Sequence, residues 1–405
     1  MSVLPKSIPS GSREKISVEE DNKNKIENAK ILVVDDAEFS RCLIQEIFSA
    51  NGFKNITLVE DGEEAIEATK ELEPDLVLLD LMMPKLDGFE YCKEVRKDPR
   101  FSDTPILVQS ATTSPERITK AFKVGATDFV SKPINADEMI ARSKVHLQNQ
   151  FLLHDLKMYQ SRVKQELNDA KQMQKSTMPS DIDIKDIEKK YNLNIAEHFE
   201  TSSELGGDFW GMIPISKNAL GIYSVDFSGH GVMAALNTFR LHTILKEDNK
   251  IKSPAEFLFE LNNKLVPLLS SGQFATMFFG IIDMDKNEIE YSSAGAPAPF
   301  LIKENGDVDI LNAVGVPLGV IKSVDYDNQK ADLNSGETIV LYSDALIETE
   351  DDDGGFISED EIKSIFKASA SVSARKKLAA LMQKFRAHSS NPIRDDLTIN
   401  IFQRN

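Results

Sequence analysis

The stretch Asp75-Leu-Val-Leu-Leu-Asp80-Leu-Met-Met-Pro84 is a short apolar run that ends in a carboxylate. Four further short apolar runs occur between residues 31 and 130, and helix-length amphipathic segments separate them. These runs lie at residues 31–34, 56–59, 105–108 and 128–130. Strand–helix alternation at this spacing predicts an α/β domain over residues 29–147. Its expected fold is a doubly wound (βα)5 arrangement, a parallel sheet with helices on both faces.

Composition and charge narrow the class of protein. The chain has 405 residues, with 47 Lys and Arg against 65 Asp and Glu, which gives a formal net charge of −18. Neither a nucleic acid nor an anionic membrane is an expected partner, because both select basic faces. The two cysteines, Cys42 and Cys92, exclude a disulfide framework and a thiolate metal site. No signal-peptide core opens the chain and no apolar run approaches the ~18 residues of a membrane span, so a cytoplasmic location is expected.

Two segments outside the first domain differ from it in pattern. Residues 1–28 are polar without apolar periodicity and are predicted to be a disordered arm. Residues 148–180 are predicted to be a helical linker that ends at Pro179. Its apolar residues recur at near-heptad spacing, at Leu152, Leu156, Tyr159, Val163, Leu167 and Ala170. This stripe predicts a parallel coiled coil that makes a homodimer; the alternative is a long helix packed on its own domain.

Residues 181–405 mix strand-like and helical runs without strict alternation. The strand-like runs lie at residues 221–226, 276–283, 288–292, 338–342 and 397–402. The helical runs lie at residues 231–245, 254–265 and 374–388. Strands that arrive in neighbouring groups favour antiparallel sheet, so this segment is predicted to be an α+β layered domain with helices packed outside.

The predicted strand ends of the first domain carry a set of polar residues. Asp35 and Asp36 follow the first strand, Asp80 the third, Ser110 the fourth and Lys132 the fifth. In a doubly wound sheet these ends form the ligand-binding edge. Three converging carboxylates repel one another without a cation, so the sequence predicts a Mg²⁺ site. Asp80 is then the candidate phosphoryl acceptor, with Lys132 and the Ser110 hydroxyl holding the phosphoryl oxygens.

These motifs resemble the receiver domain of two-component response regulators. The resemblance rests on Val33-Val34-Asp35-Asp36, Leu79-Asp80-Leu-Met-Met-Pro84, Ser110-Ala111 and Ser131-Lys132-Pro133. It implies that a histidine kinase phosphorylates Asp80, and that Asp35, Asp36, Asp80 and the Met82 carbonyl bind Mg²⁺. It also implies that Phe129 is an aromatic switch residue; the alternative is an ordinary apolar residue near a strand end.

Carboxylates beside small residues also recur in the C-terminal segment. They lie in Gly206-Gly207-Asp208, Asp226-Phe-Ser-Gly229-His230-Gly231, Ser343-Asp344-Ala345 and Asp395-Asp396-Leu-Thr398. With no Cys and one His in these motifs, two Mg²⁺ or Mn²⁺ ions suit the ligands better than zinc. From spacing alone, the aspartates could instead serve as turn formers and helix caps.

Residues 170–405 resemble the metal-dependent Ser/Thr protein phosphatases of the PPM family, in the bacterial SpoIIE-type branch. The resemblance rests on the entry Ala170–Pro179 and on the stretches at residues 225–235, 341–348 and 395–398. It implies a central antiparallel β-sandwich flanked by helices. It implies metal ligation by Asp208, Asp226, the Phe227 carbonyl, Asp344 and Asp395. Weaker candidates are Asp396, Gly229 and His230, and for His230 a positioning role is favoured.

Three positions depart from the pattern of that branch. Gly211 stands where a second Asp is frequent, Ala296 where His is usual and Ala345 where Gly is usual. None of them removes a primary carboxylate. They bear on substrate positioning and rate, and Ala345 could restrict a backbone that Gly would leave free.

A receiver, a stiff helix and a phosphatase in one chain suggest a relay. Phosphorylation at Asp80 is expected to activate the phosphatase through the helix. The SpoIIE-type branch implies a phosphorylated anti-sigma-factor antagonist (a STAS domain) as substrate, in a partner-switching pathway. The alternative is an adaptor that binds a partner through a phosphatase-like domain and catalyses nothing. Retention of the carboxylate set favours the enzyme.

Overall fold

The computed structural model describes residues 22–110, 115–229, 231–246, 251–351, 354–389 and 393–405. The chain divides into two compact units, and the division in sequence falls between Arg162 and Val163. No helix among the described residues is long and apolar enough to cross a membrane.

The first unit is built on a parallel sheet of five strands in the order β2-β1-β3-β4-β5. The strands are β1 (Lys30–Val34), β2 (Asn55–Val59), β3 (Leu76–Asp80), β4 (Ile106–Ser110) and β5 (Asp128–Ser131). The helices that connect them are α1 (Glu38–Ala50), α2 (Gly62–Leu72), α3 (Gly88–Val95) and α4 (Pro115–Lys123). The predicted (βα)5 order is confirmed.

Successive residues of β1 pack into two different cores. Ile31 lies in a cluster with Phe48 of α1. Its neighbour Leu32 lies in a second cluster with Tyr91 of α3. Because successive side chains of a strand point to opposite faces, the sheet is covered by helices on both sides. This is the doubly wound arrangement that the sequence predicts.

The predicted arm at residues 1–28 is ordered in its last part. Residues 22–27 are helical, and Ile26 is buried in the core of the first unit. The prediction of disorder is therefore wrong for these residues, because one apolar side chain anchors an otherwise polar segment. Residues 1–21 lie outside the described residues.

Helix α5 (Ala136–Lys175) runs for 40 residues. The sequence predicts that this helix ends at Pro179, and it ends four residues earlier, at Lys175. Two hydroxyls donate hydrogen bonds to carbonyls of its last turn. Ser176 Oγ donates to Met173 O at 2.6 Å, and Thr177 Oγ1 donates to Gln174 O at 2.7 Å. These bonds satisfy carbonyl groups that a further turn of helix would otherwise pair.

The predicted coiled-coil stripe on α5 has two different environments. Leu152, Leu156 and Tyr159 are 51–66% exposed. Val163 and Leu167, further along the same stripe, are half-buried within the single chain. Only the first part of the stripe therefore presents a free apolar face.

The second unit contains two sheets of five strands, ordered β13-β10-β9-β8-β7 and β12-β11-β14-β15-β6. Its strands begin with β6 (Leu193–Glu200), β7 (Asp208–Pro214), β8 (Ala219–Phe227), β9 (Ala275–Asp283) and β10 (Glu288–Ala294). They continue with β11 (Phe300–Ile302), β12 (Val308–Ile310), β13 (Gln329–Asp332), β14 (Thr338–Tyr342) and β15 (Leu397–Arg404). All their pairings are antiparallel, as predicted.

Helices flank the two sheets. They are α6 (Asp181–Tyr191), α7 (Val232–Leu245), α8 (Pro254–Leu265), α9 (Ala345–Glu348), α10 (Glu359–Ala368) and α11 (Ala374–His388). Ile222 of β8 shares one core with Leu341 and Phe402 of the other sheet, so the sheets face each other. Ile401, next to Phe402, packs in another core with Leu381 of α11. The unit is a helix-flanked sandwich, as predicted.

Candidate functional site

Three carboxylates meet at the carboxyl edge of the parallel sheet. Asp80 is the last residue of β3, and Asp35 and Asp36 follow β1 directly. One ligand oxygen from each lies within 4.8 Å of the others. Asp35 is buried, and the Ser40 hydroxyl donates a hydrogen bond of 2.6 Å to its Oδ2. Oxygen donors at this separation fit a hard divalent cation such as Mg²⁺.

Lys132, directly after β5, brings a positive charge to this group. Its Nζ donates to Asp35 Oδ2 at 2.8 Å and to the carboxylate of Asp80. Burial acts to lower the pKa of Lys132, but the hydrogen bonds to Asp35 and Asp80 outweigh it, so the pKa is raised. The Lys132 backbone N–H donates to Ser110 O at 2.9 Å, which holds the end of β5 against the end of β4. The predicted strand-end residues therefore lie together.

Two further predicted receiver residues lie next to this group. The Met82 backbone N–H donates to Asp80 Oδ1 at 3.0 Å, so the chain turns at the candidate acceptor directly after β3. Phe129, half-buried in β5, lies under the guanidinium of Arg142 at 5.6 Å from the ring centroid. Arg142 belongs to α5, so the candidate switch residue contacts the helix that leaves the receiver. Metal ligation by the Met82 carbonyl and the switching role of Phe129 stay predictions.

The carboxylates of the second unit come from strand ends on both sheets. Asp208 opens β7 and lies directly opposite Asp226 of β8. Asp344 follows β14, and Asp395 precedes β15. The two sheets are joined at this point by Thr398, whose Oγ1 donates to Asp208 Oδ2 at 2.5 Å.

Asp396 has a different role from its neighbour Asp395. Its Oδ1 accepts the Ser202 N–H at 2.7 Å, and its Oδ2 accepts the Gly207 N–H at 2.6 Å. Asp396 therefore holds the Gly206-Gly207 turn in front of Asp208. Because both oxygens accept backbone N–H groups, a structural role for Asp396 is favoured over metal ligation.

Burial and mutual repulsion raise the pKa values of Asp208, Asp226 and Asp344. Burial holds the pKa of Asp208 well above its ordinary value, and the nearby Asp226 adds to this. Burial, followed by Asp344 and Asp395, raises the pKa of Asp226 to about 8. Burial, followed by Asp395 and Glu348, raises the pKa of Asp344 to about 6. A divalent cation would relieve this accumulation of negative charge.

The fit to metal ions differs between the two units. Among the described residues, three ligand oxygens within 4.8 Å of one another occur only at Asp35, Asp36 and Asp80. Among its described residues, the second unit brings four carboxylates toward one another, and this set of oxygen donors suits Mg²⁺ or Mn²⁺. The burial and mutual repulsion of Asp208, Asp226 and Asp344 also favour a bound cation at this site.

The remaining candidates lie in the loop after Asp226. A Cβ on Gly207 would lie 2.6 Å from the Phe227 carbonyl oxygen, so the turn and this carbonyl approach as closely as glycine allows. Gly229 has φ of 83°, in the left-handed region that favours glycine. His230 lies outside the described residues. Metal ligation by the Phe227 carbonyl stays a prediction.

Gln174, in the last turn of α5, is a residue that sequence reasoning missed. It is buried, and its Nε2 donates to Gly206 O at 2.7 Å and to Thr238 Oγ1 at 3.3 Å. Its Oε1 accepts the Gly206 N–H at 3.3 Å. Its spacing in the sequence could have indicated that it is buried, because Gln174 lies on the apolar stripe one turn beyond Ala170.

The three departures have simple structural settings. A Cβ on Gly211 would lie 2.3 Å from Tyr223 Oη, so a larger residue would displace that tyrosine. Ala296 lies in a turn where its N–H bonds to Ser293 Oγ at 3.1 Å. Ala345 opens helix α9, in a backbone conformation that alanine adopts freely, so the expected restriction does not arise there.

Two family models match the chain. Residues 31–144 match the response regulator receiver domain, and residues 216–405 match Stage II sporulation protein E (SpoIIE). Chemotaxis protein CheY of Bacillus subtilis is 38% identical over 111 residues, which cover 27% of this chain and 91% of CheY. The chain belongs to the response regulator family.

This response regulator also carries a SpoIIE-type PPM phosphatase domain. The SiaA-PP2C domain of Pseudomonas aeruginosa has the same fold, with a TM-score of 0.54 and 18% identity over 61% of this chain and 98% of that chain. Transcriptional regulatory protein YvrH of Bacillus subtilis is 37% identical over 126 residues, 31% of this chain. That match spans 52% of YvrH, so the response regulator covers about half the length of this relative.

Proposed function

We propose that this response regulator is a metal-dependent protein serine/threonine phosphatase whose activity is controlled by phosphorylation of Asp80. The observation that carries the proposal is the convergence of Asp208, Asp226, Asp344 and Asp395 in a chain that also carries the receiver site. Of these, Asp208 is buried and Asp226 and Asp344 are half-buried. An adaptor would have no need of them, because carboxylates cost stability when they are buried in the charged form.

In the receiver, Asp80 is the proposed nucleophile. A carboxylate oxygen attacks the phosphorus of a phosphohistidine on an upstream kinase, the P–N bond breaks and an acyl phosphate forms. Lys132, already within hydrogen-bond reach of Asp80, would then pair with the phosphoryl oxygens together with the Ser110 hydroxyl. Bound Mg²⁺ would offset the charge of the three carboxylates.

In the phosphatase domain, the four carboxylates are the proposed holders of two Mn²⁺ or Mg²⁺ ions. When bound, such ions make water more acidic and offset the charge of a phosphoryl group. Thr398 fixes one oxygen of Asp208, and Asp396 fixes the turn before it. These contacts hold Asp208 in a defined position at the site.

We infer that helix α5 carries the signal between the two sites. It begins after β5, where Arg142 contacts Phe129, and its last turn contains Gln174, which is bonded to the turn before Asp208. A change at Asp80 that moves Phe129 would shift the start of this helix, and a shift of its end would move Asp208. Activation by phosphorylation is the direction we propose.

The exposed part of the helix stripe supports a homodimer in this proposal. Leu152, Leu156 and Tyr159 present an apolar face that a second copy of the chain would cover by parallel coiled-coil pairing. The proposed substrate is a phosphorylated anti-sigma-factor antagonist of the STAS type, in a cytoplasmic partner-switching pathway. This substrate rests on the resemblance to SpoIIE-type phosphatases.

The experiment that tests the proposed activity is hydrolysis of p-nitrophenyl phosphate and of a phosphoserine peptide. Purified protein should hydrolyse both when Mn²⁺ is present and neither after chelation. The variant Asp344→Asn should be inactive under all conditions. A wild-type protein that binds Mn²⁺ but hydrolyses neither compound would favour the adaptor.

A further inference from the structure

Six large apolar side chains on the phosphatase domain are exposed close to one another. Their exposed fractions lie between 37% and 58%. They are Met233, Leu236, Leu268, Phe274, Val320 and Ile321, and we call this set the apolar rim. Single exposed apolar residues are common, whereas a contiguous group marks an interaction surface.

Hydrogen bonds join the segments that carry the members of the apolar rim. Met233 and Leu236 are one turn apart on α7. Further along this helix, Arg240 Nη1 donates to Leu268 O at 2.9 Å. Ala275, directly after Phe274, pairs with Leu318 through two backbone bonds of 2.8 and 2.9 Å. The helix, the segment at residues 268–275 and the segment at residues 318–321 are therefore bonded to one another.

Two buried amide side chains hold the loops of the rim in place. Asn262 Nδ2 donates to Ile321 O at 2.7 Å, and its Oδ1 accepts the Gly319 N–H at 2.8 Å. Asn237 Oδ1 accepts from Arg240 at 3.0 Å, and its Nδ2 donates to Gln273 Oε1 at 3.4 Å. Buried amides are costly unless paired, so these loops are fixed in the shape that exposes their apolar side chains.

The apolar rim adjoins the loop that carries the metal-ligand candidates. Ser228, two residues after Asp226, donates its N–H to Phe274 O at 2.9 Å. The Phe274 N–H in turn donates to Ser228 Oγ at 3.0 Å. A protein that presents a phosphorylated side chain to Asp226 is therefore brought over the rim.

We propose that the apolar rim is the docking surface for the protein substrate of the phosphatase, and that this substrate carries an apolar patch beside its phosphorylated residue. The proposal rests on the proposed function. Six side chains make a small contact, whereas a stable interface involves about 20–30 residues on each side. A small, rigid apolar surface suits a substrate that must bind and leave, and it is too small to hold a dimer by itself.

The test compares small and protein substrates in one set of variants. The double variant Leu236→Gln/Val320→Gln removes part of the rim, and Ile182→Gln is the matched control, since Ile182 is 72% exposed on α6 outside the rim. The small substrate is p-nitrophenyl phosphate with Mn²⁺. The protein substrates are the phosphoproteins extracted from cells that carry Asp344→Asn, followed site by site by mass spectrometry.

The rim variant should hydrolyse p-nitrophenyl phosphate at the wild-type rate. It should act about tenfold more slowly than wild type on the phosphosites that the wild-type protein removes, whereas Ile182→Gln should match wild type on both. Equal rates of wild type and rim variant on those phosphosites would overturn the proposal. An equal loss on both kinds of substrate, or conversion of a wild-type dimer to a monomer, would also overturn it. Failure of the proposed function itself would look different, because the wild-type protein would then be inactive on both.

Discussion

The side chain of Gln174 and the backbone of Gly206 form two hydrogen bonds, of 2.7 Å to the carbonyl and 3.3 Å from the N–H. Gln174 lies in the last turn of the long helix, and Gly206 lies two residues before Asp208. This pair therefore joins the end of the linker to the turn that presents a metal-ligand candidate. The pairing is buried, so water cannot replace it without rearrangement.

Gln174→Ala should lower phosphatase activity and remove its response to the receiver. The loss of two buried hydrogen bonds leaves Gly206 unpaired, and we expect kcat to fall about tenfold, equivalent to about 1.4 kcal/mol. Met173→Ala is the matched control, because Met173 is the neighbouring residue and is 63% exposed. Wild-type kcat and a wild-type response to beryllofluoride in Gln174→Ala would contradict this coupling.

Asp226→Asn and Asp344→Asn should each abolish Mn²⁺-dependent hydrolysis of p-nitrophenyl phosphate. A neutral amide is a weak ligand for a divalent cation, and the carboxylate cage is then incomplete. The folded state should survive, which circular dichroism can check. Asp309→Asn, at an exposed carboxylate on β12, should keep full activity. If either active-site variant keeps more than about a tenth of wild-type kcat, the ligand assignment is wrong.

Asp80→Asn should prevent labelling of the protein by acetyl phosphate. An amide cannot form an acyl phosphate, and Asp80 is the carboxylate at the end of β3 that Lys132 contacts. The label on wild-type protein should be released by hydroxylamine, as an acyl phosphate is. A hydroxylamine-resistant label that persists on the variant would place the acceptor elsewhere.

Charged residues in the exposed part of the helix stripe should separate the proposed dimer. Leu156→Glu together with Tyr159→Glu should give monomers in sedimentation and uncouple phosphatase rate from the receiver, because the seam then contains like charges. Met158→Glu is the matched control, since Met158 is 60% exposed and lies off the stripe. Wild-type protein that is monomeric at tens of micromolar, with and without beryllofluoride, would remove the dimer from the mechanism.

Lys377 should make the stability of the folded protein depend on pH, and this effect does not involve metal binding. The side chain is buried in α11, burial lowers its pKa to about 8, and its Nζ donates to Val372 O at 2.6 Å. Between this value and the ordinary lysine pKa, the unfolded state binds more protons than the folded state, so stability rises with pH. Lys377→Met should therefore raise Tm at pH 7, and the gain should shrink toward pH 9.5.

The control for this effect is Lys376→Met, at the exposed neighbouring lysine. Its difference in Tm from wild type should not change with pH. A Lys377→Met variant whose Tm difference from wild type stays constant from pH 7 to 9.5 would show that Lys377 titrates normally in the folded protein.

The receiver could be predicted from sequence almost completely. Parallel strands end at one edge, so Asp35, Asp80 and Lys132 are expected to lie together once a doubly wound parallel sheet is inferred. The exception is Ile26, where one apolar residue in a polar segment is buried although no periodicity marks it.

For the phosphatase domain, the sequence predicts which residues belong to the candidate site, but it predicts their contacts less well. The resemblance implies metal ligation by Asp208, Asp226, Asp344 and Asp395 and ranks Asp396 below them, but the motif spacing alone does not distinguish Asp395 from Asp396. That distinction depends on Ser202 and Gly207, which approach Asp396 only when the two sheets pack. The stripe on the linker helix likewise predicts one continuous apolar face. In the single chain, however, Val163 and Leu167 are half-buried and the earlier residues of the stripe are exposed.

We propose that the phosphorylation state of Asp80 sets the rate of the phosphatase. The most direct measurement is the rate of Mn²⁺-dependent hydrolysis of p-nitrophenyl phosphate by full-length protein, with and without beryllofluoride, in wild type and in Asp80→Asn. We predict that beryllofluoride raises the wild-type rate about tenfold, equivalent to about 1.4 kcal/mol, and leaves Asp80→Asn unchanged. Equal wild-type rates, in protein whose receiver is shown to bind beryllofluoride, would contradict the account.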